Sequence, residues 1–114
     1  MTPVDAQTAM PSEIGATSRH FRTSDGVLLH YFEAGFGKPL VLLHGFCQSA
    51  EEFKFQIEGL KDRYRVIALD FRGHGNSEKP GYGLKLHRFA MDLREMLLAA
   101  NVHDVTLLGH SQGV

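Results

Sequence analysis

Three strand-length segments with apolar interiors constrain this chain more than any other feature. They are residues 40–43 (Leu-Val-Leu-Leu), 65–69 (Arg-Val-Ile-Ala-Leu) and 104–108 (Asp-Val-Thr-Leu-Leu). They read as buried strands, the type found where helices cover both faces of a sheet and βαβ units build it. The segments between them have helical spacing. Ser49 followed by Glu52 matches a capping box, and Phe53, Ile57 and Leu60 give the helix after it one apolar face. Leu86, Phe89, Ala90, Leu93, Met96, Leu97 and Ala100 follow the three/four spacing of a second amphipathic helix. Residues 19–23 and 27–33 flank the turn Ser24-Asp25-Gly26 and read as an antiparallel hairpin. Residues 71–83 are rich in glycine and must be loop. The expected fold class is α/β, with a mostly parallel sheet, an N-terminal antiparallel hairpin, five strands and two helices over residues 19–114. Residues 1–18, rich in Thr, Pro, Ala and Ser, read as a flexible tail.

Charge and length exclude several functions. Lys and Arg number 12 against 13 Asp and Glu, so the net charge of -1 gives no electrostatic basis for binding nucleic acid or an anionic membrane. The longest apolar run, residues 39–43, is too short to span a bilayer. A single cysteine, Cys47, excludes an internal disulfide framework and fits a reducing compartment. With no signal-peptide pattern at the N-terminus, the expected location is cytoplasmic.

The chemistry gathers in three short segments. Gly109-His110-Ser111-Gln112-Gly113 has the G-x-S-x-G pattern and follows an apolar strand directly. A sharp strand-to-helix turn would lift the Ser111 hydroxyl above the sheet, and Gly109 and Gly113 leave room for it. His44-Gly45-Phe46 follows another apolar strand and precedes the capped helix. Asp70-Phe71-Arg72-Gly73-His74-Gly75-Asn76-Ser77 follows the third. Asp70 and Arg72 are expected to bond backbone groups and each other, holding the loops around a pocket. His44 is expected to support its loop through hydrogen bonds. Cys47 reads as a small buried side chain, and Phe46 as pocket lining or packing.

Taken in order, strand-H-G, D-x-R-G-x-G-x-S and a strand ending in G-x-S-x-G resemble the α/β-hydrolase superfamily, over about residues 19–114. In style the match is nearest to cofactor-free haloperoxidases, arylesterases and related small-ester hydrolases. The resemblance implies Ser111 as nucleophile, the backbone N–H groups of Phe46 and Gln112 as oxyanion-hole donors, a small-molecule substrate, and neither cofactor nor metal. A serine at position 111 argues against the haloalkane dehalogenase and epoxide hydrolase branches, which use aspartate there. The superfamily places its catalytic acid and histidine after the nucleophile, whereas all seven histidines here precede Ser111. The chain is therefore expected to be an N-terminal part, inactive without a downstream half, with its last strand left as an apolar edge. A small-molecule receptor, a perhydrolase and a carbon–carbon bond hydrolase remain open as alternatives to an esterase.

Overall fold

The computed structural model describes residues 15–45, 48–82 and 85–109. Five strands form one mixed sheet: β1 (Thr17–Arg22), β2 (Leu28–Ala34), β3 (Lys38–Leu43), β4 (Tyr64–Asp70) and β5 (Thr106–Gly109), in the order β1-β2-β4-β3-β5. β1 and β2 pair antiparallel, as do β2 and β4, while β3 runs parallel to both β4 and β5. A 3₁₀ turn (Ala50–Phe53) leads into helix α1 (Lys54–Leu60), and helix α2 (Leu86–Ala100) joins β4 to β5. The expected α/β class, with its antiparallel start, is the fold observed. The expected tail over 1–18 lies outside the described residues up to position 14, and Thr17 and Ser18 open β1.

The apolar runs of β3 and β4 have the reason expected of them, whereas the third run, expected as a buried-type strand, is exposed in β5. On β3 and β4, Leu40, Leu42, Val66 and Ala68 pack with Phe53 and Ile57 on the α1 face, while Val41, Leu43, Ile67 and Leu69 pack with Phe89 and Met96 on the α2 face. Successive side chains of a strand point to opposite faces, so a strand covered on both sides has no polar position. The two crossovers proceed along the sheet in opposite directions. Right-handed connections then place their helices on opposite faces.

Three local expectations change. Leu86 is 69% exposed and Ala90 is exposed, because the buried stripe of α2 runs through Phe89, Asp92, Met96 and Ala100. The helix is turned so that Asp92 faces inward, where a buried cation meets it. The last strand starts at Thr106, not 104, because Asp104 adopts φ 53°, a left-handed conformation outside the strand region. At the capped helix, the Ser49 side chain accepts from the Glu51 N–H, and Glu52 sends its carboxylate to the Gly45 N–H at 3.4 Å. At its other end, α2 closes on Asn101 (φ 56°), with the Asn101 and Val102 N–H groups returning to the carbonyl of Leu97. Within the described sheet β5 is an edge, and Leu107 and Leu108 stand about half exposed.

Candidate active site

Leu43 pairs with Leu69 on one side and with Gly109 on the other, so the carboxyl ends of β4, β3 and β5 lie side by side. The chain leaves β3 toward β4 and later crosses back over β3 to reach β5. Ligand crevices in parallel sheets open where the direction of progress reverses, at the carboxyl ends of the strands. Gly109 and His44-Gly45, which open two of the three motifs, therefore emerge at one sheet edge. An open depression beside them is lined by Glu52, Phe53, Gln56, Leu108 and Gly109. Phe46, Ser111, Gln112 and Gly113 lie outside the described residues.

His44 is fully buried and has both ring nitrogens engaged. The Phe71 N–H donates to its Nε2 at 3.0 Å, so Nε2 is an acceptor, and Nδ1 donates to the Gly45 carbonyl at 2.7 Å. Burial pushes its pKa down, against the raising effect of the Gly45 carbonyl and Asp70. The ring is thus a neutral tie between the end of β3 and the chain just past β4.

Asp70 makes a second such tie. Its Oδ1 accepts the Ala50 N–H at 2.7 Å, and its Oδ2 accepts from His30 Nδ1 at 2.7 Å and from the Asn76 N–H at 3.1 Å. His44 and Ala50 are therefore both tied to the end of β4. Ser77 completes the arrangement, donating to the Asp70 carbonyl at 2.5 Å and accepting the His30 N–H at 2.8 Å. Gly75, at φ 51°, lies against the Asp70 carboxylate, and a Cβ there would sit 2.2 Å from Oδ1. Gly75→Ala is expected to destabilise the protein by about 2–3 kcal/mol through overpacking and left-handed strain, read as a lowered urea midpoint.

Arg72 does not pair with Asp70, contrary to expectation. Its buried guanidinium makes two hydrogen bonds to Asp92 (2.7 and 2.9 Å) and two to Asp25 (2.9 and 3.0 Å). Burial alone would lower its pKa, but the hydrogen bonds and charges of Asp92 and Asp25 outweigh burial and raise it. Hydrogen bonds from Arg72, then Thr23, hold the Asp25 carboxyl well below the usual carboxylate range. Arg88 bonds Asp92 at 3.0 Å and approaches Asp25 and Glu95, and Glu95 accepts from both the amide and the hydroxyl of Ser24. This network joins the hairpin turn, the loop after β4 and helix α2. Sequence reasoning missed Asp25, His30 and Asp92. The one signal available was Asp92 itself, a carboxylate among the apolar positions of α2.

These shifts fix the direction of the pH dependence. The unfolded chain protonates His44 near the ordinary histidine value of about 6.5, whereas the folded chain resists it. The unfolded state then binds more protons, so stability is lost as pH falls below about 6.5. Asp25 follows below about pH 4, where its depressed carboxyl contributes stability that disappears on acidification. The urea midpoint is expected to fall between pH 7.5 and 5.5. His44→Gln should flatten that change without abolishing it, because burial lowers the pKa of His20 as well.

Among the described residues no group of His, Cys, Asp and Glu is arranged to hold a metal ion, and no helix is long and apolar enough to cross a membrane. Residues 38–113 match the family described as "alpha/beta hydrolase fold". A soluble epoxide hydrolase of Corynebacterium sp. (strain C12) is 41% identical over 84% of this chain and 34% of its own length. A non-heme chloroperoxidase of Kitasatospora aureofaciens is 39% identical over 80% of this chain and 34% of its own. The solved structure of an esterase from Exiguobacterium antarcticum superposes with a TM-score of 0.82 at 33% identity, over 85% of this chain and 37% of that one. The chain thus spans about a third of the length of the curated relatives it matches. With the family match covering more than half of its residues, and a backbone that superposes on that of a solved relative, the chain belongs to the α/β-hydrolase fold family.

Proposed function

We propose that this chain supplies the nucleophile and the oxyanion hole of a serine hydrolase acting on a small carboxylic ester or related carbonyl compound. Ser111 attacks the carbonyl carbon. The backbone N–H groups of Phe46 and Gln112 hold the developing oxyanion, each donor lowering the barrier by about 3–4 kcal/mol. Water then releases the acid. The observation that carries this reading is the register of β3 between β4 and β5, which brings the strands feeding residues 44–46 and 109–113 to one edge. The catalytic acid and histidine belong to sequence beyond Val114, and the 114 residues alone are proposed to be inert. Neither metal nor cofactor enters the mechanism, and the small-molecule substrate is the partner. A cytoplasmic location accompanies this reading.

The test is a burst experiment on the longer protein with p-nitrophenyl acetate. One equivalent of nitrophenol followed by steady turnover, with an acetyl group trapped on Ser111 in acid-quenched samples, supports the proposal. A burst with no subsequent turnover favours a receptor of the same fold. Absence of both ends the proposal. The chloroperoxidase relative favours a second reading, in which hydrogen peroxide replaces water at the acyl-enzyme and a peracid leaves. Peroxide-dependent halogenation that is lost in Ser111→Ala distinguishes it. The epoxide hydrolase relative carries less weight, because the resemblance assigns an aspartate to the nucleophile of that branch and Ser111 stands here.

A further inference from the structure

A serine–histidine–carboxylate chain runs from the hairpin to the end of β4, apart from Ser111. His30 on β2 is buried and points Nδ1 at Asp70 Oδ2 (2.7 Å) and Nε2 at Ser18 Oγ (3.1 Å). Both Asp70 oxygens accept backbone N–H groups besides the contact with His30, which makes this side chain the acceptor of the His30 Nδ1–H. The Nδ1 proton of a neutral His30 must then lie toward Asp70, which leaves Nε2 as an acceptor for the Ser18 hydroxyl. A serine base needs this tautomer and this orientation. His30 and Asp70 are each 1% exposed, so their geometry is fixed, whereas Ser18 is exposed on β1.

The sheet register adds an electrophile-stabilising group. The Thr23 N–H bonds the Val27 carbonyl, and counting back in antiparallel alternation makes Ser18–Phe32 a non-hydrogen-bonded pair. His30, two residues from Phe32, obeys the same alternation, since its N–H turns away from β1 to Ser77. The Ser18 N–H therefore points away from β2, to the outer edge of β1 in the described sheet, as a donor beside its own hydroxyl.

We propose that Ser18 is a second nucleophile, activated by His30 and Asp70, that takes an acyl or phosphonyl group from small activated electrophiles. With a fluorophosphonate the Oγ–P bond forms and the P–F bond breaks. Fluoride leaves, and the hydroxyl proton passes to His30 Nε2 and then to water. With an aryl ester the Oγ–C bond forms and the phenolate leaves in the same way. The site shares Asp70 with the loop after β3, but Ser18 and His30 have no part in the chemistry proposed for Ser111, so substitutions at those two positions test it separately.

The experiment uses the longer protein with Ser111→Ala, an alkyl fluorophosphonate and peptide mass mapping. The expected result is one equivalent of label on Ser18, at least tenfold faster than in the urea-denatured protein, and lost in Ser18→Ala and His30→Gln. Ser18→Ala should keep a cooperative melting transition, since the residue itself is exposed. If His30→Gln does not fold, the native-to-denatured ratio decides by itself. Absence of label at Ser18, or equal rates in native and denatured protein, overturns the proposal. So does equal labelling in a folded His30→Gln protein, because the contact with His30 is then structural only.

Discussion

Ser111→Ala is expected to lower ester turnover in the longer protein by about 10⁴- to 10⁶-fold, mostly in kcat, with the fold intact. The nucleophile forms the covalent bond that divides a difficult hydrolysis into two easier steps, and alanine leaves no route through an acyl-enzyme. The residual rate should come from the oxyanion donors and substrate binding, which do not need the hydroxyl. Position 111 follows two residues after Gly109, the last residue of edge strand β5, so the substitution removes no described core contact. Steady-state kinetics with p-nitrophenyl acetate, alongside thermal melting, provide the check. A variant keeping more than a tenth of the rate would remove Ser111 from the mechanism.

Arg72→Met is expected to destabilise the protein by about 3–5 kcal/mol, which is a large share of the stability of an ordinary domain. The guanidinium is fully buried and satisfies four carboxylate oxygens on two elements distant in sequence, Asp25 in the hairpin turn and Asp92 on α2. Methionine matches the volume but leaves Asp92 as a buried anion held by Arg88 alone among the described residues. The cost lies mainly in that stranded charge, and the arithmetic can be tested. Arg72→Met with Asp92→Leu should recover part of the loss, because it removes the uncompensated anion as well. Urea titrations of the single and double variants measure the coupling. If the double variant is as unstable as the sum of the two singles, the charge is not the source of the cost. Arg72→Lys should not rescue, since one ammonium cannot span both carboxylates in the geometry of a planar fork.

The candidate site was legible where its signals were local. Strand-H-G, the Asp70–Ser77 segment and the G-x-S-x-G pattern each carry their meaning in consecutive residues, and the first two stand at strand ends as expected. The partners of Asp70 and Arg72 were not legible. Pairing them with each other was reasonable for residues two apart, but His30 lies 40 positions from Asp70, and Asp25 lies 47 from Arg72. No periodicity marks such pairs. Asp92 looked like a polar residue at the margin of an amphipathic face, and only the Arg72 guanidinium beneath α2 explains why the stripe turns to include it.

The amino-acid sequence by itself determined the α/β class and, among the described residues, the five strands and the two helices. Those features follow from backbone periodicity, turn residues and steric room at glycine, all of which act over a few residues. Tertiary structure alone decided which strands are neighbours, and hence that Gly109 stands beside Leu43. It also decided which buried charges meet, and that His30 joins Asp70 to Ser18. Those outcomes depend on closing the sheet and covering both of its faces. A buried ion or hydrogen-bonding group takes the partner that this closure brings within about 3 Å, whatever their separation along the chain.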